Sequence, residues 1–278
     1  MNDSTRSSLI LVTALMSEAR PLIDFFRLKK ECDAPFTIFS NSDSDIKIII
    51  SGMGAIAVAA AVGFMAERDG CHSKAWLNVG IAGHRFMDIG SSVRVLSHRF
   101  EHSQRKQYVS QTVPWAGHVA ELITLSEASS SYPDNDLIDM EGAGYFSSAL
   151  HFSGSELVQA IKVVSDNQSY SADNLTSEVI SDLILENRPA ILGFIEQLKS
   201  FLDEPVVSDD WESRVTWPLS HSQRQIVTDH LQASNAFGLQ NEALLIVKTA
   251  SDFDALNAGL INLLTNYCPQ LTVPSNGG

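Results

Sequence analysis

Leu157-Val158-Gln159-Ala160-Ile161-Lys162-Val163-Val164-Ser165-Asp166-Asn167 decides how the rest of the chain is read. The apolar run over 157–164 is short and nearly continuous rather than alternating. It reads as a strand buried on both faces, the habit of parallel sheets covered by helices. It stops at Ser165-Asp166-Asn167, polar residues just beyond the carboxyl end of the strand. Working outward, three earlier stretches repeat this layout. Residues 9–13 run into Met16-Ser17-Glu18, residues 46–50 into Ser51-Gly52-Met53-Gly54, and residues 75–79 into Gly80-Ile81-Ala82-Gly83. If these four strands are parallel neighbours, two acids and two glycine loops converge on one rim. Open α/β sheets place their ligands there, and glycine lets backbone N–H groups approach a bound molecule closely.

The intervening sequence supplies helices. Ser17 reads as the cap of a helix to about Arg27, with Pro21 in its first turn or so. Residues 36–39 form a further strand, joined to the next by a turn at 41–45. The alanine-rich residues 55–68 read as a packed helix, 92–96 and 122–125 as strands, and 139–152 as a helix beginning near Met140. Residues 176–202 form a long helix with an interruption expected, if anywhere, near Pro189. The expected fold is therefore α/β: a mixed, mostly parallel central sheet with helices on both faces, over residues 1–204. Near residue 203 the texture changes. Glu204-Pro205 and Asp209-Asp210 read as a linker. Residues 205–278 read as a small, α-rich C-terminal extension carrying Trp211, Trp217, helix-like stretches at about 220–233 and 252–266, and an apolar segment at 243–247 between them.

Composition narrows the function. With 44% hydrophobic and 19% charged residues the 278-residue chain can bury a core. A formal net charge of −14 repels phosphate backbones and anionic lipid, which argues against nucleic acid and membrane as partners. Cys32, Cys71 and Cys268 are odd in number and widely spaced, which argues against a disulfide scaffold or a zinc site and fits a reducing compartment. The polar N-terminus lacks a signal-peptide layout, and a cytoplasmic protein is expected. No cofactor is called for. His98-x-x-x-His102 has the spacing of a metal pair, but no third ligand is in view.

Taken singly, the polar ends of the strands have plain readings. Gly52-Met53-Gly54-Ala55-Ile56-Ala57 fits a loose dinucleotide pattern, but the next strand ends in Leu77-Asn78-Val79, without the acid that would hold a ribose. Gly80 to Gly83 alone is a tight turn, Asp166 alone a helix cap, and Glu18 alone a complement to a helix dipole.

In this order they resemble the nucleoside phosphorylase/nucleosidase superfamily, in particular its methylthioadenosine/S-adenosylhomocysteine nucleosidase and futalosine hydrolase branches. The matching pieces are Ala14-Leu15-Met16-Ser17-Glu18, Ser51-Gly52-Met53-Gly54, Asn78-Val79-Gly80-Ile81-Ala82-Gly83, Asp88-Ile89-Gly90-Ser91, Ile138-Asp139-Met140-Glu141-Gly142-Ala143 and Val164-Ser165-Asp166-Asn167. The resemblance spans about residues 8–202. It implies that Glu18 activates an attacking water, that Met140 and Glu141 hold the ribose, and that Asp166, flanked by Ser165 and Asn167, protonates the purine at N7. It implies that Gly52, Gly54, Gly80, Ile81, Ala82 and Gly83 line the ribosyl end, and that the protein is a homodimer acting on a small nucleoside.

Two alternatives stand beside hydrolysis. A phosphorylase needs a phosphate site. Its relatives place a hydroxyl residue where Ile81 stands, so Arg20 or Arg85 would have to substitute. A non-catalytic nucleoside-binding module on the same fold is the other. The stretch between Ser97 and Asp139 is shorter than in the methylthioadenosine enzymes, whose base-stacking flap lies there. Residues 125–132, with Tyr132 as candidate stacker, are the expected replacement. His84 reads equally as a surface histidine or as a group near the sugar.

Overall fold

The computed structural model describes residues 8–41, 45–69, 74–129, 131–133, 135–200, 202, 211–236 and 238–267. The N-terminal residues 1–7, the turn at 42–44, the linker acids Glu204, Asp209 and Asp210, and Cys71 and Cys268 lie outside them. The chain divides into two compact units, one of residues 1–109 and 113–206, the other of residues 110–112 and 207–278.

The first unit follows the order β1 (Ser8–Thr13), α1 (Met16–Phe26), β2 (Lys29–Cys32), β3 (Thr37–Ser40), β4 (Ile46–Ile50), α2 (Ala55–Asp69), β5 (Lys74–Gly83), β6 (Ser92–Phe100), β7 (Gln107–Tyr108), β8 (His118–Thr124), β9 (Asp136–Asp139), α3 (Gly142–Ala149), β10 (Val158–Asp166) and α4 (Ser177–Ser200). Among the described residues, all ten strands join one sheet. Its path is β10-β6-β8-β9-β5-β1-β4-β3-β2, with β7 on β6, and β10 also pairs β5. The four strands that anchor the sequence reading are parallel neighbours: β4 beside β1, β1 beside β5, β5 beside β10. Their registers, Val12↔Asn78 and Lys162↔Gly80 among them, align the four carboxyl ends.

Both faces of the sheet are covered. Ala19, Leu22 and Ile23 of α1 and Ile184, Ile191, Phe194 and Ile195 of α4 pack with Leu9, Leu11 and Leu77 on one face. Val58, Val62 and Met65 of α2 and Tyr145, Phe146 and Ala149 of α3 pack with Ile10, Val12 and Trp76 on the other. The alanine-rich helix lets α3 come close: a Cβ on Gly144 would stand 2.3 Å from the Ala55 carbonyl oxygen.

Several boundaries differ from expectation. Gly80–Gly83 is the end of a strand rather than a loop. Ser17 lies inside α1, whose N-cap is Leu15 and has no side-chain cap bond; the Glu18 carboxylate takes the end amides instead. α3 starts at Gly142, because Asp139 closes a strand. α4 runs unbroken through Pro189. The hydrogen bond that proline removes would end on the carbonyl of Leu185, an exposed residue where water can replace it.

The second unit contains α5 (His221–Ala236), α6 (Gln240–Thr249) and α7 (Phe253–Tyr267). Its own core joins Trp211, Leu219, Val227, Ala243, Val247, Leu256 and Leu260, with Trp217 packed against it. The apolar segment at 243–247 is the middle of a helix. Gly259 lets α7 approach α6, since a Cβ there would meet Ile246 Cγ2 at 2.7 Å.

Candidate active site

Glu18 is set by the end of β1. Its Oε2 accepts from the Ala14 and Leu15 amides at 2.8 and 2.9 Å, and its Oε1 from the Ile81 amide at 3.0 Å. The Leu15 bond caps the N-terminus of α1; the Ile81 bond ties the carboxylate to β5. Gly80 is required at this point, since a Cβ would stand 2.8 Å from Glu18 Oε1. Burial pushes the Glu18 carboxyl up from the ordinary glutamate range, against the opposing pull of Lys162 and the three amides.

Lys162 was not singled out in the sequence. It lies opposite Gly80 in register, is buried, and places Nζ 2.8 Å from Asp139 Oδ2. Burial pulls its basicity down, but Asp139, then Glu141 and Glu18, outweigh that and hold the ammonium above the usual lysine range. The available signal was a lysine in a strand otherwise buried throughout, which demands a partner. Asp139 supplies it and also organises the next turn. Its Oδ1 accepts from Thr124 Oγ1 and its Oδ2 from the Gly142 amide, both at 2.8 Å. That fixes Met140 and Glu141 at the start of α3. Glu141 Oε1 takes the Gly54 amide at 2.7 Å. Gly54 has φ of +98°, which aims this amide at the carboxylate and not at a nucleotide phosphate. Burial pushes Glu141 up as well, with Lys162 opposing.

At the end of β10 the register with β5 shifts between Val164 and Asp166, a bulge that turns the acid toward the rim. Asp166 Oδ1 accepts from the Ser165 hydroxyl at 2.5 Å and Oδ2 from the Tyr132 hydroxyl at 2.7 Å. Tyr132 thus meets the acid through its hydroxyl. Asn167 does structural work: its Nδ2 donates to the Met87 carbonyl, and its Oδ1 accepts from the Ser169 and Tyr170 amides. His84 is buried, not on the surface, and its Nδ1 accepts from the Phe86 and Met87 amides. That use requires a neutral ring, in keeping with burial lowering its basicity.

A cavity of about 310 Å³ joins these groups. Glu18, Ile81, Ala82, Gly83, Met140, Glu141, Ser165 and Asp166 line it. Gly52, Gly54, Gly80 and Asn167 stand outside its lining, as do Arg20 and Arg85. Leu125, Glu127, Ala128 and Ser129 close one side, and Ala172, Leu175 and Ile180 add an apolar wall. His98 and His102 do not converge: His98 is buried and stacked on Phe146 at 4.4 Å, whereas His102 is exposed. Among the described residues there is no cluster of three metal-ligating side chains, and no helix is long and apolar enough to cross a membrane.

No family model matches the sequence, and no curated protein matches it. Solved structures do match by fold. A 5′-methylthioadenosine/S-adenosylhomocysteine nucleosidase from S. pneumoniae, solved with a transition-state inhibitor, superposes with a TM-score of 0.56 at 16% identity over 69% of this chain and 99% of that one. The corresponding enzyme from Helicobacter pylori, with an immucillin, gives 0.59 at 13% over 69% and 99%. A futalosine hydrolase mutant of Helicobacter pylori gives 0.55 at 12% over 69% and 100%. The chain carries the fold of these solved nucleosidases over its first unit, followed by a helical extension.

Proposed function

We propose that this chain hydrolyses the N-glycosidic bond of a purine nucleoside, with water as nucleophile. The observation that carries the reading is that carboxylates from distant points of the chain, Glu18, Glu141 and Asp166, line one cavity of nucleoside size. The fold of nucleosidases solved with inhibitors supports it. Bond cleavage builds positive charge on the sugar and negative charge on the base. Asp166 acts as the general acid toward N7 as the electron pair of the C1′–N9 bond moves to the base, a contribution of about 10²–10⁴-fold. Glu141, with Oε1 held by Gly54, receives the ribose hydroxyls and stabilises the cationic ring. Met140 packs against the sugar. Glu18 takes a proton from the water attacking C1′. Its three amide bonds fix its direction, and Lys162 steadies its charge. Ser165 orients Asp166. The backbones of Ile81, Ala82 and Gly83 shape the sugar floor, while Gly54 holds Glu141, Gly80 leaves room for Glu18 and Asn167 holds the Met87 turn.

Water is favoured over phosphate by charge. The sugar end holds Glu18, Asp139 and Glu141 against one ammonium, Lys162, and Ile81 offers no hydroxyl. An incoming phosphate would meet net negative charge. We further propose a cytoplasmic homodimer. Met53 and Ile56 beside the site are 64% and 89% exposed, an apolar surface suited to a second copy. Incubation with adenosine, inosine, 5′-methylthioadenosine, S-adenosylhomocysteine and futalosine, with and without phosphate, tests the activity. Free base at equal rates in both buffers is expected. Release only with phosphate would make the protein a phosphorylase, and tight binding without release would make it a binding module.

A further inference from the structure

Asp166 is closed from outside by Tyr132. The phenol donates to Oδ2 at 2.7 Å, and the other oxygen is taken by the Ser165 hydroxyl at 2.5 Å. Ser165 is wholly buried and Asp166 is 6% exposed, so Oδ2 is the only edge a ligand could reach. The ring itself lies on the Gly83 backbone. A Cβ on Gly83 would stand 2.7 Å from both Tyr132 Cε1 and Asp166 Oδ2. A planar base approaching the acid along β5 therefore meets the phenol first. The phenol is also a poor proton source, because burial and then the Asp166 contact push its titration above the ordinary tyrosine range. It can hold the carboxylate but cannot replace the acid.

We propose that Tyr132 is a latch that covers the Oδ2 edge of Asp166 and must leave that edge before a purine can bind the acid there. The latch rests on Asp166 being the base-facing acid of the proposed reaction. A group of this kind reduces apparent affinity by the fraction of molecules in which it is open. Removing its hydrogen bond to the Asp166 carboxyl is worth about tenfold in that fraction.

The test uses the full chain and its Tyr132→Phe variant, with folding checked by thermal melting, and measures adenine and hypoxanthine binding by calorimetry. The variant is expected to bind its preferred base about tenfold tighter, with KM for the nucleoside falling alongside and kcat changing far less. Binding that is unchanged, weaker, or undetectable in both proteins overturns the latch. So does a large fall in kcat without tighter base binding, which would make Tyr132 a positioning group for the acid. Tighter base binding in a protein that cleaves no nucleoside keeps the latch and removes the glycosidase reading, so the two can fail separately.

Discussion

The two ends of the cavity are built on different principles. At the sugar end, Glu18, Asp139, Glu141 and Lys162 are buried together, and every one of these charges is held by backbone amides or by another charge. At the base end, the Asp166 carboxyl is bonded, among the described residues, by the hydroxyls of Ser165 and Tyr132. The first end is locked by the fold and contributes to its stability. The second is held by side chains that can rearrange at little cost to the fold. The contrast suits a reaction in which a cationic sugar needs fixed charges and a departing base needs an acid it can enter and leave.

Substitutions that separate activity from stability should expose this asymmetry. The largest effect is expected for Asp166→Asn, which should lower kcat by about 10²–10⁴-fold while costing about 1–2 kcal/mol in urea unfolding, since the amide keeps one acceptor oxygen for a hydroxyl and loses the other. A large stability loss would erase the distinction between the ends. Lys162→Met should do the reverse. It leaves three carboxylates uncompensated and should destabilise the fold by about 3–5 kcal/mol in the same titration. A near-wild-type midpoint would mean that the sugar-end charges are not coupled as described.

Two glycine substitutions sharpen the comparison. Gly80→Ala presses on Glu18 Oε1, which three amides hold in place, and should cost more in kcat than Gly83→Ala, whose contacts are the side chains of Tyr132, Asp166 and Ile138. Equal losses would count against a rigid sugar end. The smallest expected effect is on pH dependence. Glu18 must be ionised to accept a proton, and burial raises its pKa. As pH falls, kcat/KM should therefore drop at a pH above the ordinary glutamate value, and Glu18→Gln should flatten that limb at a low rate. A limb at the ordinary value would point to another base.

The four strand ends were legible because each pairs an apolar run with an abrupt polar stop, and the parallel register does the rest. Glu18 and Asp166 follow from those stops, whereas Glu141 came only from the resemblance. Lys162 was hidden because its partners come from α1, β9 and the start of α3, elements far away in the chain. β9 is a four-residue strand whose last residue, Asp139, reads as a helix start, and its pairings with β8 and β5 reveal it. The start of α1 misled because Ser17, a good capping residue by type, is displaced in that role by a carboxylate that also faces the cavity. α6 was ambiguous because a five-residue apolar run does not distinguish strand from helix. Tyr132 reaches Asp166 across 34 residues from a segment without regular structure, where no periodicity reports direction.

The central claim is that Glu18 and Asp166 act on opposite sides of one sugar–base linkage. It is tested most directly by supplying 5′-methylthioadenosine and inosine in phosphate-free buffer and quantifying free purine for wild type, Glu18→Gln and Asp166→Asn. The account expects purine from the wild type and almost none from either variant, with all three proteins folded. Wild-type protein that releases no purine from any nucleoside, or variants that release it at the wild-type rate, would contradict it.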